Sequence, residues 1–187
     1  MTTRRDFLKT KTMAPAGLAF GAGDVLGARA STTQRKVTDK VKIAYIGIGN
    51  RGEQIINDFA RTGMVEVVAL CDVDMGAAHT QKVMNQYPKA KRFRDFRQMF
   101  DKAGNDFDAV AIATPDHSHF PISMLALASG KHVYVEKPLA RTFYEGELLM
   151  QAALKRPNLA TQVGNQGHSE ANYFQFKAWM DAGIIKD

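Results

Sequence analysis

From Val41 onward, short apolar runs alternate with stretches in which apolar residues recur every three or four positions. Val41–Gly47 is β-branched and aromatic, apolar enough for a strand buried on both faces of a parallel sheet. A helical pattern, about Gly52–Arg61, follows. Ile55, Ile56, Phe59 and Ala60 share one side of it, and Gly63 is the stop. Val65–Asp72 reads as a second strand, and Met75–Gln86 as its helix, with Asp74 placed to cap it. A short strand at Lys91–Phe93 leads to Asp95-Phe96-Arg97-Gln98, a helix start of the capping-box kind. Asp108–Thr114 is the fourth strand. A helix from about Phe120 stops at Gly130, and His132–Glu136 is the fifth strand. Thr142-Phe143-Tyr144-Glu145 is a capping box opening a further helix, with Pro157 just beyond its end. Leu159–Val163 is the sixth strand, and about Glu170–Ala182 the last helix. In that helix Tyr173, Phe176, Trp179 and Met180 cannot all face one core, so exposed apolar side chains are expected there. The alternation predicts an α/β fold, a doubly wound parallel sheet with right-handed crossovers. Ligands of such sheets sit at the carboxyl ends of the strands.

The first strand runs directly into Gly47, Gly49 and Gly52, a G-x-G-x-x-G spacing. Gly47 permits the tight turn, Gly49 lets a pyrophosphate approach the backbone, and Gly52 lets the helix pack closely on the strand. The helix N-terminus offers free N–H groups and a partial positive charge to phosphates. A glycine turn alone is a weak signal. Here the second strand ends in Asp72, twenty residues after Gly52, where a carboxylate can bind the adenosine ribose. A carboxylate there repels a 2′-phosphate, so NAD is expected in preference to NADP. Arg51, inside the turn, would contact a phosphate or stay solvated.

The first thirty residues change the charge picture. Thr3-Arg4-Arg5-Asp6-Phe7-Leu8-Lys9 resembles a twin-arginine export signal. A mildly apolar segment, Met13–Gly23, and the small-x-small triplet Ala28-Arg29-Ala30 complete that pattern. The expected organisation is a signal peptide at 1–30, a linker or arm at 31–40, a dinucleotide-binding domain at 41–168 and a connecting helix at 169–187. The net charge of +6 then falls to +3 for residues 31–187, with 20 Lys+Arg against 17 Asp+Glu. That is too mild and too evenly spread for a nucleic-acid surface. No run of 18 apolar residues is present, so no membrane partner is expected of the mature form. The single cysteine, Cys71, allows no disulfide within the chain and reads as a small core residue.

Two strand ends carry further chemistry. Thr114-Pro115-Asp116-His117-Ser118-His119 follows strand four. Its histidines fall short of a metal site. The segment would wall the nicotinamide ring, or Asp116 or Ser118 would cap the next helix. Glu136-Lys137-Pro138 follows strand five. A lysine facing a cofactor cleft can act in proton transfer, although composition alone favours a surface lysine.

Taken in order, the glycine turn, Cys71-Asp72, Thr114-Pro115-Asp116-His117 and Glu136-Lys137-Pro138 resemble the Gfo/Idh/MocA oxidoreductases over about Val41–Asp187. The resemblance implies a Rossmann domain followed by a second α+β domain. It makes Lys137 the catalytic residue beside nicotinamide and substrate, and the Lys137–Pro138 bond cis. The expected cofactor set is Gly47, Gly49, Asn50, Arg51, Gly52, Asp72, Thr114, Pro115, His117 and Glu136. Many relatives carry an aromatic residue, asparagine and paired arginines after strand six. Here Gly164-Asn165-Gln166-Gly167-His168-Ser169 resembles an exported subgroup instead. His168 and Gln166 are expected to face substrate, or His168 simply opens the last helix. The sequence stops at Asp187, about where the substrate domain with its Asp/His pair should begin, so it reads as an N-terminal fragment or a truncated gene product, and a homo-oligomer would form through the missing domain.

The expected function is an exported, periplasmic NAD-dependent oxidation of a sugar or cyclitol hydroxyl. Two alternatives stand beside it. One is a redox-neutral glycosidase or epimerase using bound NAD, and the other a non-catalytic dinucleotide-binding chain. Export in the folded state also implies that NAD is loaded inside the cell and then retained.

Overall fold

The computed structural model describes residues 40–185. The export-signal pattern and nearly all of the 31–40 arm lie outside the described residues. Six strands form one sheet in the order β3-β2-β1-β4-β5-β6. They are β1 Val41–Ile46, β2 Val65–Cys71, β3 Lys91–Phe93, β4 Ala109–Ile112, β5 His132–Glu136 and β6 Thr161–Gly164. Every neighbouring pair is parallel. The doubly wound α/β sheet expected from the alternation is therefore present.

Strand periodicity explains the two cores. On β1, Ile43 and Tyr45 point to one face, and Ala44 and Ile46 to the other. The first face packs on α1 (Arg51–Arg61) and α2 (Ala78–Gln86), through Ile55, Ile56, Val83 and Met84. The second packs on α3 (Phe96–Ala103), α4 (His119–Ala128) and α5 (Phe143–Leu154), through Met99, Phe100, Ile122, Leu127 and Leu149. Ile48, Ile56, Leu70 and Ile112 are wholly buried. Side chains of this kind stabilise by about 1.5–3 kcal/mol each. Cys71 lies in the same core. Burial, reinforced by the charges of Asp72 and Asp95, pushes its thiol up to about 12, so it is not a nucleophile.

Two local expectations are corrected. The second helix begins at Ala78, and Ala77 rather than Asp74 occupies its cap position. Asp74 instead builds the preceding loop. Its carboxylate accepts from the Gly76 amide, and its carbonyl from the Thr80 hydroxyl. Ser118 occupies the cap position of the helix after strand four, but neither its side chain nor that of Asp116 makes a cap bond. Residues Asp116–Ser118 form a 3₁₀ turn of their own, and α4 starts at His119 without a side-chain cap. Thr142 and Glu145 make the expected reciprocal capping box. At α3 only half of such a box forms: Asp95 accepts from the Arg97 amide, and no Gln98 bond returns to Asp95.

The last helix, α6 (Ala171–Asp181), buries none of its residues. Tyr173, Phe176, Trp179 and Met180 are between 40% and 48% exposed. All four thus remain at the surface, as the pattern required.

Candidate functional site

The carboxyl ends of β1, β2 and β4 open into a cavity of about 650 Å³. Gly47, Gly49, Asn50, Asp72, Thr114, Pro115 and His117 all line it. Strand order reverses at β1, which lies between β2 and β4. A crevice outside the strand ends is expected at that switch point.

The turn is held from several sides. The Gly47 amide donates to the Cys71 carbonyl at 2.8 Å. Asn50 adopts the positive-φ conformation φ 46°, ψ −99°, and α1 begins at the next residue. Gly52 sits behind the turn, where a Cβ would lie 2.0 Å from the Gly47 carbonyl oxygen. At Gly49 the corresponding space belongs to the His79 imidazole, 2.2 Å from an added Cβ. The bare backbone at Gly49 therefore accommodates a side chain of α2 as well as leaving an open cavity.

Asp72 closes the cavity at the end of β2. One carboxylate oxygen accepts from the Ile48 amide at 2.9 Å and the other from the Asp74 amide at 3.0 Å. Each oxygen keeps a further lone pair, which suits ribose hydroxyls. Across the cavity the Thr114 hydroxyl is buried without a partner. A buried orphan donor in a cleft wall fits a site built for a polar ligand. The glycine turn, the helix start, the acceptor at Asp72 and the free Thr114 hydroxyl together suit a dinucleotide.

A second polar cluster lies at the end of β5. Glu136 is buried, 5% exposed. Its Oε1 accepts from Arg51 Nε at 3.1 Å, Arg51 Nη2 at 3.0 Å and Gln166 Nε2 at 2.6 Å. The Tyr134 hydroxyl donates to the same oxygen at 3.3 Å and accepts from Gln166 at 3.0 Å. Burial raises the Tyr134 phenol; the Gln166 bond opposes this and the Glu136 charge adds to it. Gly164 makes the cluster possible, since a Cβ there would lie 2.5 Å from Tyr134 Oη and 2.7 Å from Glu136 Oε1. Arg51 and Glu136, both expected at the cofactor, are thus paired with each other. Gln166, expected to face substrate, completes their cluster.

Lys137 follows, exposed, and the Lys137–Pro138 peptide is cis. Its side chain makes no hydrogen bond or ion pair with the described residues. His168 lies beside Tyr173, ring centroids 5.4 Å apart, and is not among the residues lining the cavity. Among the described residues no group of three His, Cys, Asp or Glu side chains could hold a metal. Another cavity, about 430 Å³ between α4, α5, β5 and β6, carries no ionisable side chain.

Tyr134 and His79 are not singled out in the sequence. His119 is read there only as part of the segment after strand four. It is in fact buried, 1% exposed, with its two ring nitrogens within hydrogen-bond distance of carbonyls from two loops. Its signal was available, a histidine opening the otherwise apolar run Phe120-Pro121-Ile122.

Residues 41–165 match GFO_IDH_MocA, an oxidoreductase family with an NAD-binding Rossmann fold. The chain belongs to the Gfo/Idh/MocA family. Inositol 2-dehydrogenase of Salmonella typhimurium is 31% identical over 147 residues, covering 78% of this chain and 43% of that protein. Glycosyl hydrolase family 109 protein 2 of Shewanella sp. ANA-3 is 31% identical over 161 residues, covering 76% of this chain and 35% of that protein. Among solved structures, scyllo-inositol dehydrogenase from Lactobacillus casei, with bound NAD(H) and scyllo-inositol, superposes with a TM-score of 0.68. It is 27% identical and the match covers 80% of this chain and 43% of that one. The chain therefore spans less than half the length of these Gfo/Idh/MocA relatives.

Proposed function

We propose that this chain is the nucleotide-binding part of an NAD-dependent oxidoreductase acting on a hydroxyl of a sugar or cyclitol. The observation that carries the reading is the cleft in which the glycine turn, Asp72 and the Thr114–His117 loop face one another, with Lys137 at the adjacent strand end. Asp72 would hold the adenosine ribose, the turn and the start of α1 the diphosphate, and Thr114, Pro115 and His117 the nicotinamide end. When bound, NAD supplies hydride acceptance. The chain positions the dinucleotide, and the Lys137 amine takes or returns the proton of the substrate hydroxyl. The inositol dehydrogenases among the relatives support the substrate class.

The first test is calorimetric titration of the purified chain with NAD and NADP. NAD should bind more tightly. Asp72→Ala removes both the ribose acceptor and the brace on the Ile48 amide. It should weaken NAD about tenfold, the scale of one hydrogen bond to a charged group, and narrow the preference over NADP. A wild-type chain that prefers NADP would show that Asp72 has been misread.

A second reading has its own support, the family 109 glycosyl hydrolase relative. In that reading Lys137 serves a redox-neutral cycle on a glycoside, and NAD ends each turnover unchanged. Glycoside cleavage without net NADH formation by the complete gene product would select it over the dehydrogenase.

We also propose export by the twin-arginine route, on the Arg4-Arg5 pattern, with NAD loaded before export and retained. Complete protein purified without added cofactor should release NAD on denaturation. Protein that emerges empty and exchanges NAD freely would remove the reason for this reading.

A further inference from the structure

The loop after β4 and the loop after β5 are joined by one side chain. His119 Nδ1 lies 2.6 Å from the Pro138 carbonyl oxygen, and Nε2 lies 2.8 Å from the Thr114 carbonyl oxygen. Carbonyl oxygens only accept, so each contact is a hydrogen bond where the facing nitrogen carries a proton. The ring is 1% exposed, at the first residue of α4. β4 and β5 are paired neighbours through Ile112 and Val135. Beyond those strand bonds, His119 is the side chain that ties the Thr114 loop to the Lys137–Pro138 turn among the described residues. On the other side of Lys137, Glu136 is anchored by Arg51 and Gln166. Lys137 therefore stands between two buried anchors, with its own side chain free.

Sheet order tells which part of a dinucleotide meets these loops. Asp72 follows β2, on one side of the glycine turn. The Thr114 and Lys137 loops end β4 and β5, on the other side. With the adenosine ribose at Asp72 and the diphosphate at the turn, the nicotinamide half extends over β4 and β5. The loops spaced by His119 are the ones it would reach.

We propose that His119 is a positioning residue for the nicotinamide half. It fixes the Thr114–His117 loop and the Lys137 turn at one separation, so that both meet the ring and its ribose. The proposal rests on the reading of the cleft as an NAD site. It requires that His119 matter for the whole dinucleotide and not for ADP-ribose, which ends before the nicotinamide half.

The test is calorimetric titration of the chain and its variants with NAD and with ADP-ribose. His119→Phe keeps the bulk and removes both ring nitrogens, and with them the N–H that donates to a loop carbonyl. NAD affinity should fall about five- to tenfold, the scale of one neutral hydrogen bond, while ADP-ribose affinity stays within about twofold. His119→Asn keeps an N–H near the Nδ1 position and should recover most of the NAD affinity. Should His119→Phe fail to fold, His119→Gln carries the comparison, since it keeps a donor towards Thr114 and none towards Pro138. Equal losses for both ligands would mean a general packing role and would overturn the proposal, as would no loss for either. Tight ADP-ribose binding by a wild-type chain that gains nothing from the nicotinamide would also overturn it, while leaving the adenosine half of the site intact. A wild-type chain that binds neither ligand would overturn the NAD reading itself.

Discussion

Gly52→Ala should destabilise the domain by about 2–3 kcal/mol, as overpacking against rigid atoms does, and should weaken NAD about tenfold or more. The new Cβ would lie 2.0 Å from the Gly47 carbonyl oxygen and 2.8 Å from its carbon. Neither is the end of a flexible side chain. Gly47 is tied to the Cys71 carbonyl and abuts the Ala113 backbone, so it cannot retreat. The start of α1 must move away from the strand instead. That displaces the amides expected to meet the diphosphate, and one hydrogen bond to a charged group is worth a factor of about ten or more. Thermal unfolding should shift down by about 4–12 °C at this domain size. Gly146→Ala is the control. It lies within α5, its added Cβ meets nothing within 4 Å, and it should be neutral or slightly stabilising. Unchanged melting and unchanged NAD affinity for Gly52→Ala would refute the assigned packing of the turn.

The second large effect is expected at Lys137. In the complete gene product, Lys137→Ala should lower kcat about 10²–10⁴-fold, the usual contribution of a positioned acid or base. NAD affinity should change little, and melting should not change. The reason is that the Lys137 side chain is exposed and bonds no described residue, while its backbone is held through Glu136 and Pro138. The variant therefore separates chemistry from architecture. A loss of NAD affinity parallel to the loss of rate would assign Lys137 to binding. Full activity in the variant would remove it from the reaction.

Much of this was legible in the chain itself. The apolar runs from Val41 to Val163 carried the strands, and their parallel pairing followed from the helices between them. The glycine spacing and Asp72 located the cleft before any geometry was available, because turns and strand ends are dictated by local backbone requirements. The capping box at Thr142 and Glu145 was also local, four consecutive residues satisfying one another. Asp74 misled for the same reason. It has the chemistry of a cap, but Asp72 and Thr80 draw its loop into another shape.

The polar clusters were a different matter. Arg51 and Glu136 are 85 positions apart, and Glu136 and Gln166 are 30 apart. Each reads alone as a residue for cofactor or substrate. Only the consecutive placement of β1, β4, β5 and β6 in the sheet brings them within hydrogen-bond distance, and only the missing side chain at Gly164 leaves them room. His119 is decided in the same way. The sequence determined that a histidine opens an apolar helix. The tertiary structure decided that its ring meets two carbonyls from separate loops, because burial leaves a polar ring no water and makes it bond whatever backbone the fold places beside it.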